Sequence, residues 1–311
     1  MRMLVSIFLV FGLILSANAD ILVLDDALRA TYTACVGIDD ELTELKKMAG
    51  INTAVTGVGT AVNTGATVVG IVKANKDKQA EELERLIKEL SEMEDDKESP
   101  TDEQIAAWGR EFNQSYESGK NAQTLTQKLD KLNKQSKTLG NWRTGLLAGG
   151  AATNVAGAII AGTNKVDADL QTQIDNCKAS VKNLRDSIMQ ARMNGTDVTE
   201  ANSIVAACGE YDYVDISPIN KRGTGAMWSS VVGATTGAAG TVTSAIANTD
   251  ATRNDNSAAG KQREKNLNTT SNVLAGASTV ASATATVFNA TQISAIKKVA
   301  NVAEKCTGVL K

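Results

Sequence analysis

The sequence predicts an all-α protein, an elongated helical bundle of two duplicated antiparallel helical hairpins with Ala/Gly/Thr-rich arms. Three observations carry this reading. Only two prolines, Pro100 and Pro218, occur in 311 residues, and aromatics make up 4% of the chain, which suits long helices better than a β-sandwich or an α/β enzyme. Four uncharged runs rich in Gly, Ala, Ser and Thr, each with a Val/Ile seam, cover residues 48–72, 144–164, 223–249 and 266–296. These runs fall in two pairs, one bracketed by Cys35 and Cys177 and the other by Cys208 and Cys306.

The chain opens with Arg2, an apolar run over residues 4–15, and Ser16-Ala17-Asn18-Ala19 before Asp20. The small residues at Ala17 and Ala19 form an A-x-A cleavage pattern, so residues 1–19 are expected to be a Sec signal peptide removed after Ala19. The apolar run is shorter than the roughly 20 residues a membrane span needs. The expected location is therefore periplasmic, extracellular or cell-surface, with membrane association left open by the uncharged runs.

The first hairpin is assigned to residues 20–178. Its first arm places Ile51, Val55, Val58, Val62, Gly65, Val69 and Val72 at alternating spacings of four and three. That is a heptad stripe, expected to lie along a partner helix, with Asn52, Thr56, Gly59, Asn63 and Thr67 on the flanking faces. A charged tip follows over residues 74–140. Within it, Leu83, Leu86, Ile87 and Leu90 form one stripe, and Glu81, Glu82, Arg85, Lys88 and Glu89 cover the opposite face, an amphipathic helix continuing the arm. Residues 95–100 interrupt it. Thr101-Asp102-Glu103-Gln104 then reads as a capping box that restarts a helix carrying Trp108, Phe112 and Tyr116 at fourfold spacing, and Leu125, Leu129, Leu132 and Leu139 resume after Ser118-Gly119.

Residues 179–222 are expected to be a helix, a turn at Asn194-Gly195, a second helix and a connector around Tyr211 to Pro218, whose Tyr/Val alternation resembles a short strand. The second hairpin covers residues 223–311, with a polar tip at 250–265 in which Asn254, Asp255, Asn256 and Gly260 suit a turn or a frayed loop. Internal duplication is expected on local matches. Leu147-Ala148-Gly149 recurs as Leu274-Ala275-Gly276, Val58-Gly59 as Val232-Gly233, and Thr67-Val68 as Thr241-Val242.

Composition excludes several chemistries. Histidine is absent, which removes the usual general base and the usual transition-metal ligand. A net charge of −3 from 32 basic and 35 acidic residues gives no electrostatic case for nucleic acid. The acidic pairs Asp25-Asp26, Asp39-Asp40, Glu81-Glu82 and Asp95-Asp96 point in different directions on a helix and suit solvated caps. Residues 250–256 lack calcium-loop spacing, and Gly57-Val58-Gly59 lacks the Lys-Ser/Thr of a phosphate loop. No enzyme, cofactor or metal is expected.

Cys35, Cys177, Cys208 and Cys306 are an even set with no C-x-x-C spacing, so two disulfides are expected in an exported chain. Pairing within each hairpin is the first expectation, and Cys177 with Cys208 plus Cys35 with Cys306 the second. The function these features imply is an exported, non-enzymatic structural or binding and scaffolding module, whose partner is another protein or a second copy, with Trp108, Phe112 and Tyr116 as a contact tip. The alternative is a membrane-inserting protein with four small-residue spans, pore-forming in one version, in which Trp142 and Trp228 stand at the ends of the runs as interfacial aromatics.

Overall fold

The computed structural model describes residues 22–96, 122–255 and 257–310. The signal peptide, the capping box at 101–104 and the contact tip Trp108, Phe112 and Tyr116 lie outside the described residues. The described residues are almost entirely helical, in an all-α bundle of long helices. Helix α1 covers 22–35 and is followed after a turn by α2 (Ile38–Asp96), α3 (Ala122–Thr163), α4 (Ala168–Met193) and α5 (Thr199–Cys208). A 3-10 turn over Gly209–Tyr213 leads to α6 (Ser217–Ala247), the short α7 (Asp250–Arg253) and α8 (Ala258–Leu310).

The breaks have local causes. Gly37 takes φ 97° between α1 and α2, and Gly195 takes φ 78° after α4, conformations open to glycine at little steric cost. Asp167 caps α4 by accepting from the Leu170 amide at 2.8 Å. Asp215 and Asp255 each accept from an amide two residues on, at Ser217 and Ser257. The connector forms the 3-10 turn, with no strand among the described residues, because Tyr211 turns inward and is fully buried. The polar tip of the second half is largely helix, since α8 begins at Ala258.

The chain forms two compact units. The described part of unit 1 covers residues 22–54, 157–228 and 284–310, and unit 2 covers Val55–Ala156 and Ser229–Ala283. Unit 1 has a conventional apolar core. Leu24, Ile38, Leu42, Ile174, Val181, Leu184, Ile204, Ile219, Ile296 and Val299 pack in one cluster around Cys35, Cys177, Cys208 and Cys306. The disulfides are Cys35–Cys177, with Cα atoms 4.8 Å apart, and Cys208–Cys306, with Cα atoms 4.5 Å apart. Asn220 clamps the residue before the α4 cap, accepting from the Val166 amide at 2.8 Å and donating to its carbonyl at 3.1 Å.

Unit 2 is built from α2, α3, α6 and α8, with neighbours antiparallel. Facing residues rise along α2 as they fall along α3: Gly59 meets Thr153, Gly65 meets Leu146 and Asp77 meets Ser136. The same holds between α3 and α6, where Leu147 meets Gly240 and Thr144 meets Ser244, and between α6 and α8, where Gly233 meets Ser278 and Gly240 meets Ser271. Toward the charged end, Ala80, Leu83, Leu125 and Leu132 make a small apolar cluster, with Leu86, Ile87 and Leu129 against it.

The phase of the first seam is the reverse of that expected from sequence. Asn52, Thr56, Gly59, Asn63, Ala66, Gly70 and Lys73 are the buried stripe of α2, while Ile51, Val58 and Val72 face outward, Val58 with 55% of its surface exposed. The heptad spacing is real, but the small and polar residues occupy it. The reason is distance: helices joined through glycine and hydrogen-bonding side chains pack closer than a valine seam permits, and the valines are displaced to the outside. The other helices agree, with Val155, Ile159, Val232, Val242, Val273 and Val287 all exposed.

Two outcomes follow. Proteolysis of the unreduced protein should yield linked peptides containing Cys35 with Cys177 and Cys208 with Cys306, identified by mass spectrometry. Gly150→Leu, which drives a side chain into the position of Asn63, should lower stability by about 1–3 kcal/mol or more in chemical unfolding, whereas Gly145→Leu, at an open site, should stay within about 0.5 kcal/mol.

Candidate functional site: the polar interior of unit 2

The interior of unit 2 is a stack of amides, hydroxyls and glycines. Asn63 Nδ2 donates to Ser282 Oγ at 3.0 Å. Ser282 Oγ in turn lies 2.9 Å from Asn154 Oδ1 and 2.8 Å from the Ser278 carbonyl, two acceptors for one proton. Ser278 and Ser271 donate across to the carbonyls of Gly233 and Gly240 at 2.8 and 2.9 Å. A glycine stands opposite each amide. Asn63 fills the space at Gly150, Asn272 that at Gly70 and Asn248 that at Gly140, and a methyl at Gly233 would stand 2.7 Å from Asn154 Nδ2. Each asparagine thus acts as a knob in a hole that a glycine leaves open; Asn63 Nδ2 and Asn154 Oδ1 bond to Ser282, while Asn63 Oδ1, Asn154 Nδ2 and Asn272 Oδ1 have no hydrogen-bond partner among the described residues.

Unit 1 repeats the device once where its core adjoins α3 and α8. Asn52 Nδ2 donates to Asn289 Oδ1 at 2.9 Å, and Gln292 Nε2, close over Gly223, donates to the Asn164 carbonyl at 2.9 Å.

At one end of the polar stack in unit 2 the stripe becomes charged. Lys73, 2% exposed, reaches Asp77 at 2.6 Å, and Asp77 also accepts from Ser136 Oγ. Arg253 donates to the Asn133 carbonyl at 3.1 Å and lies 3.9 Å from Glu264, which is 4.0 Å from Lys73. Arg143 is 1% exposed, and its Nε and Nη2 have no hydrogen-bond partner. Arg143 has no ion pair among the described residues.

The threonines on these helices satisfy themselves. Thr60, Thr64, Thr67, Thr235, Thr236, Thr241 and Thr243 each donate to the carbonyl four residues back, at 2.8–3.0 Å. A hydroxyl spent in this way presents little more than a methyl group to its surroundings.

The structure brings the four expected cysteines into one core, with the sulfurs of Cys35, Cys177 and Cys306 within 4.8 Å of one another. A groove along α2 and α3, lined by Lys76, Asp130, Lys131, Lys134 and Gln135, lies open at the surface. Sequence reading passed over Lys73, Arg143 and the Asn/Gly knobs. The signal was present, since Lys73 follows Gly70 and Arg143 precedes Leu147 and Gly150 in the same heptad phase. Comparison with known proteins finds no matching family model, no matching curated protein and no matching solved structure.

Proposed function

We propose that this chain is a non-enzymatic membrane-spanning bundle that acts as a structural scaffold, carrying an oxidised, disulfide-stapled unit and a charged helical tip available to partners. The observation that supports it is the inverted distribution of side chains: asparagine, serine and glycine inside, valine and isoleucine outside. Water rewards the opposite arrangement, because outward apolar side chains forgo about 25 cal/mol per Å². Hydrocarbon rewards this one, since close small-residue packing and interhelical hydrogen bonds are what hold spans together there.

Length and composition are consistent with this. The helical stretches Leu22–Glu89, Leu125–Met193 and Ala258–Leu310 are each long and apolar enough to cross a membrane. A run of about 20 helical residues rises about 30 Å, the thickness of a hydrocarbon core. The α6 run is less apolar than the others by composition, and its back-bonded threonines lessen that difference. Two disulfides and apolar helices are together compatible with an exported or membrane-associated protein. The absence of histidine from the sequence supports a non-catalytic role. The glycine holes are filled by Asn63, Asn154, Asn248 and Asn272, which favours a packed span over an open conduit.

Expressed at full length in a bacterial host, the protein should stay in the membrane pellet after an alkaline carbonate wash, and release into the supernatant would overturn the reading. Val58→Lys combined with Val155→Lys, both on outward positions, should sharply reduce retention, because each lysine costs about 2.5–3.5 kcal/mol at a span centre. On a water-facing helix the same pair would be nearly neutral.

A further inference from the structure

Among the described residues, the charges that meet at one end of the polar stack in unit 2 do not balance. Lys73, Arg143 and Arg253 face the same end of the polar stack, against the carboxylates of Asp77 and Glu264. Lys73 and Arg253 share those two carboxylates. Arg143 has neither, although it is the most deeply buried of the three cations, and its Nε and Nη2 have no hydrogen-bond partner, nor has Oδ1 of Asn272 beside it over Gly70. The guanidinium lies over Gly70, where an added methyl would stand 3.0 Å from Nε and would also collide with Asn272. Gly70 and Lys73 are successive positions on the buried stripe of α2, so a second cation sits one helical turn away. An uncompensated guanidinium in a dry interior is costly, and it is retained where something of opposite charge reaches it. Burial of Arg143 is too deep for a lipid headgroup or an acidic side chain of another protein. Among the described residues no carboxylate reaches it, and a small ion fits that depth.

We propose that Arg143, backed by Lys73, anchors a binding site for a small inorganic anion of the size and charge of chloride inside unit 2. The site takes a monovalent ion, because the local excess is one positive charge. Two guanidinium N–H groups on one edge are the donors that such an ion requires. The site depends on burial and charge within the unit and not on whether the bundle crosses a bilayer. A failed carbonate-wash experiment therefore leaves it standing, and the converse also holds.

The test uses the full chain, held in detergent or buffer as its solubility requires. Its melting temperature is followed in sodium chloride and in sodium gluconate at matched ionic strength. Chloride should raise it in a saturable way by about 2–4 °C above gluconate. Arg143→Gln should lose that increment, while Lys305→Gln, at an exposed ion pair in unit 1, should keep it. Equal wild-type melting temperatures in the two salts would overturn the proposal, as would a folded Arg143→Gln that keeps the chloride increment. If Arg143→Gln does not fold, wild-type crystals soaked in bromide decide the matter: an anomalous peak in contact with the Arg143 guanidinium supports the site, and its absence there overturns it.

Discussion

Contact distance between helices governs this molecule. Where α2, α3, α6 and α8 meet in unit 2, several close approaches are made by an amide side chain entering the space that a glycine leaves on its neighbour, as Asn63 does at Gly150 and Asn154 at Gly233. A branched apolar side chain at the same position would hold the helices apart, and the serine bonds to Gly233 and Gly240 carbonyls would then be out of reach. The buried amides are therefore compatible with the fold only because the glycines are there, and the glycines are tolerable in long helices only because packing offsets their poor propensity.

The consequences run outward from that contact. With the inner stripe of unit 2 assigned to small and polar groups, valines such as Val58, Val155, Val232, Val242 and Val273 are turned to the outer surface. The threonines among them return their hydroxyls to their own backbone, so that surface is less polar than its composition implies. In unit 1 the logic is the usual one, with apolar residues inside and two buried disulfides among them. Long loops closed by disulfides restrict the unfolded chain strongly, a stabilisation of about 2–5 kcal/mol for each bond in typical cases. The two units thus rely on different forces: apolar burial with covalent staples in one, close polar packing in the other.

Charge is concentrated where the polar stack of unit 2 ends. Lys73, Asp77, Arg253 and Glu264 tie α2, α7 and α8 together, with Ser136 and Asn133 of α3 completing the set. Such a network is stable only when each member is satisfied. Arg143 is the member for which the chain supplies no counter-charge among the described residues, which makes this end of the bundle the place where an ion can act on its stability.

The sequence alone determined the helical class, the breaks and the period. Scarce proline and long uncharged runs dictate helices, Asn194-Gly195 marks a turn because glycine accepts positive φ, and spacings of three and four recur wherever a helix lies along another. The even cysteine set, with one pair bracketing each pair of uncharged runs, pointed to pairs within each half. Only the tertiary structure decided the phase. On α2 the Val58 stripe and the Asn63 stripe have the same period and lie side by side, and hydrophobicity assigns the valines inward only if water is the surrounding medium. What reverses the assignment is the fit of Asn63 to Gly150 and of Asn272 to Gly70, residues far apart in the chain whose complementarity exists only once the helices are in register. Arg143 was hidden for the same reason: a charge at the end of an uncharged run reads as a solvated boundary until the neighbouring helices close over it.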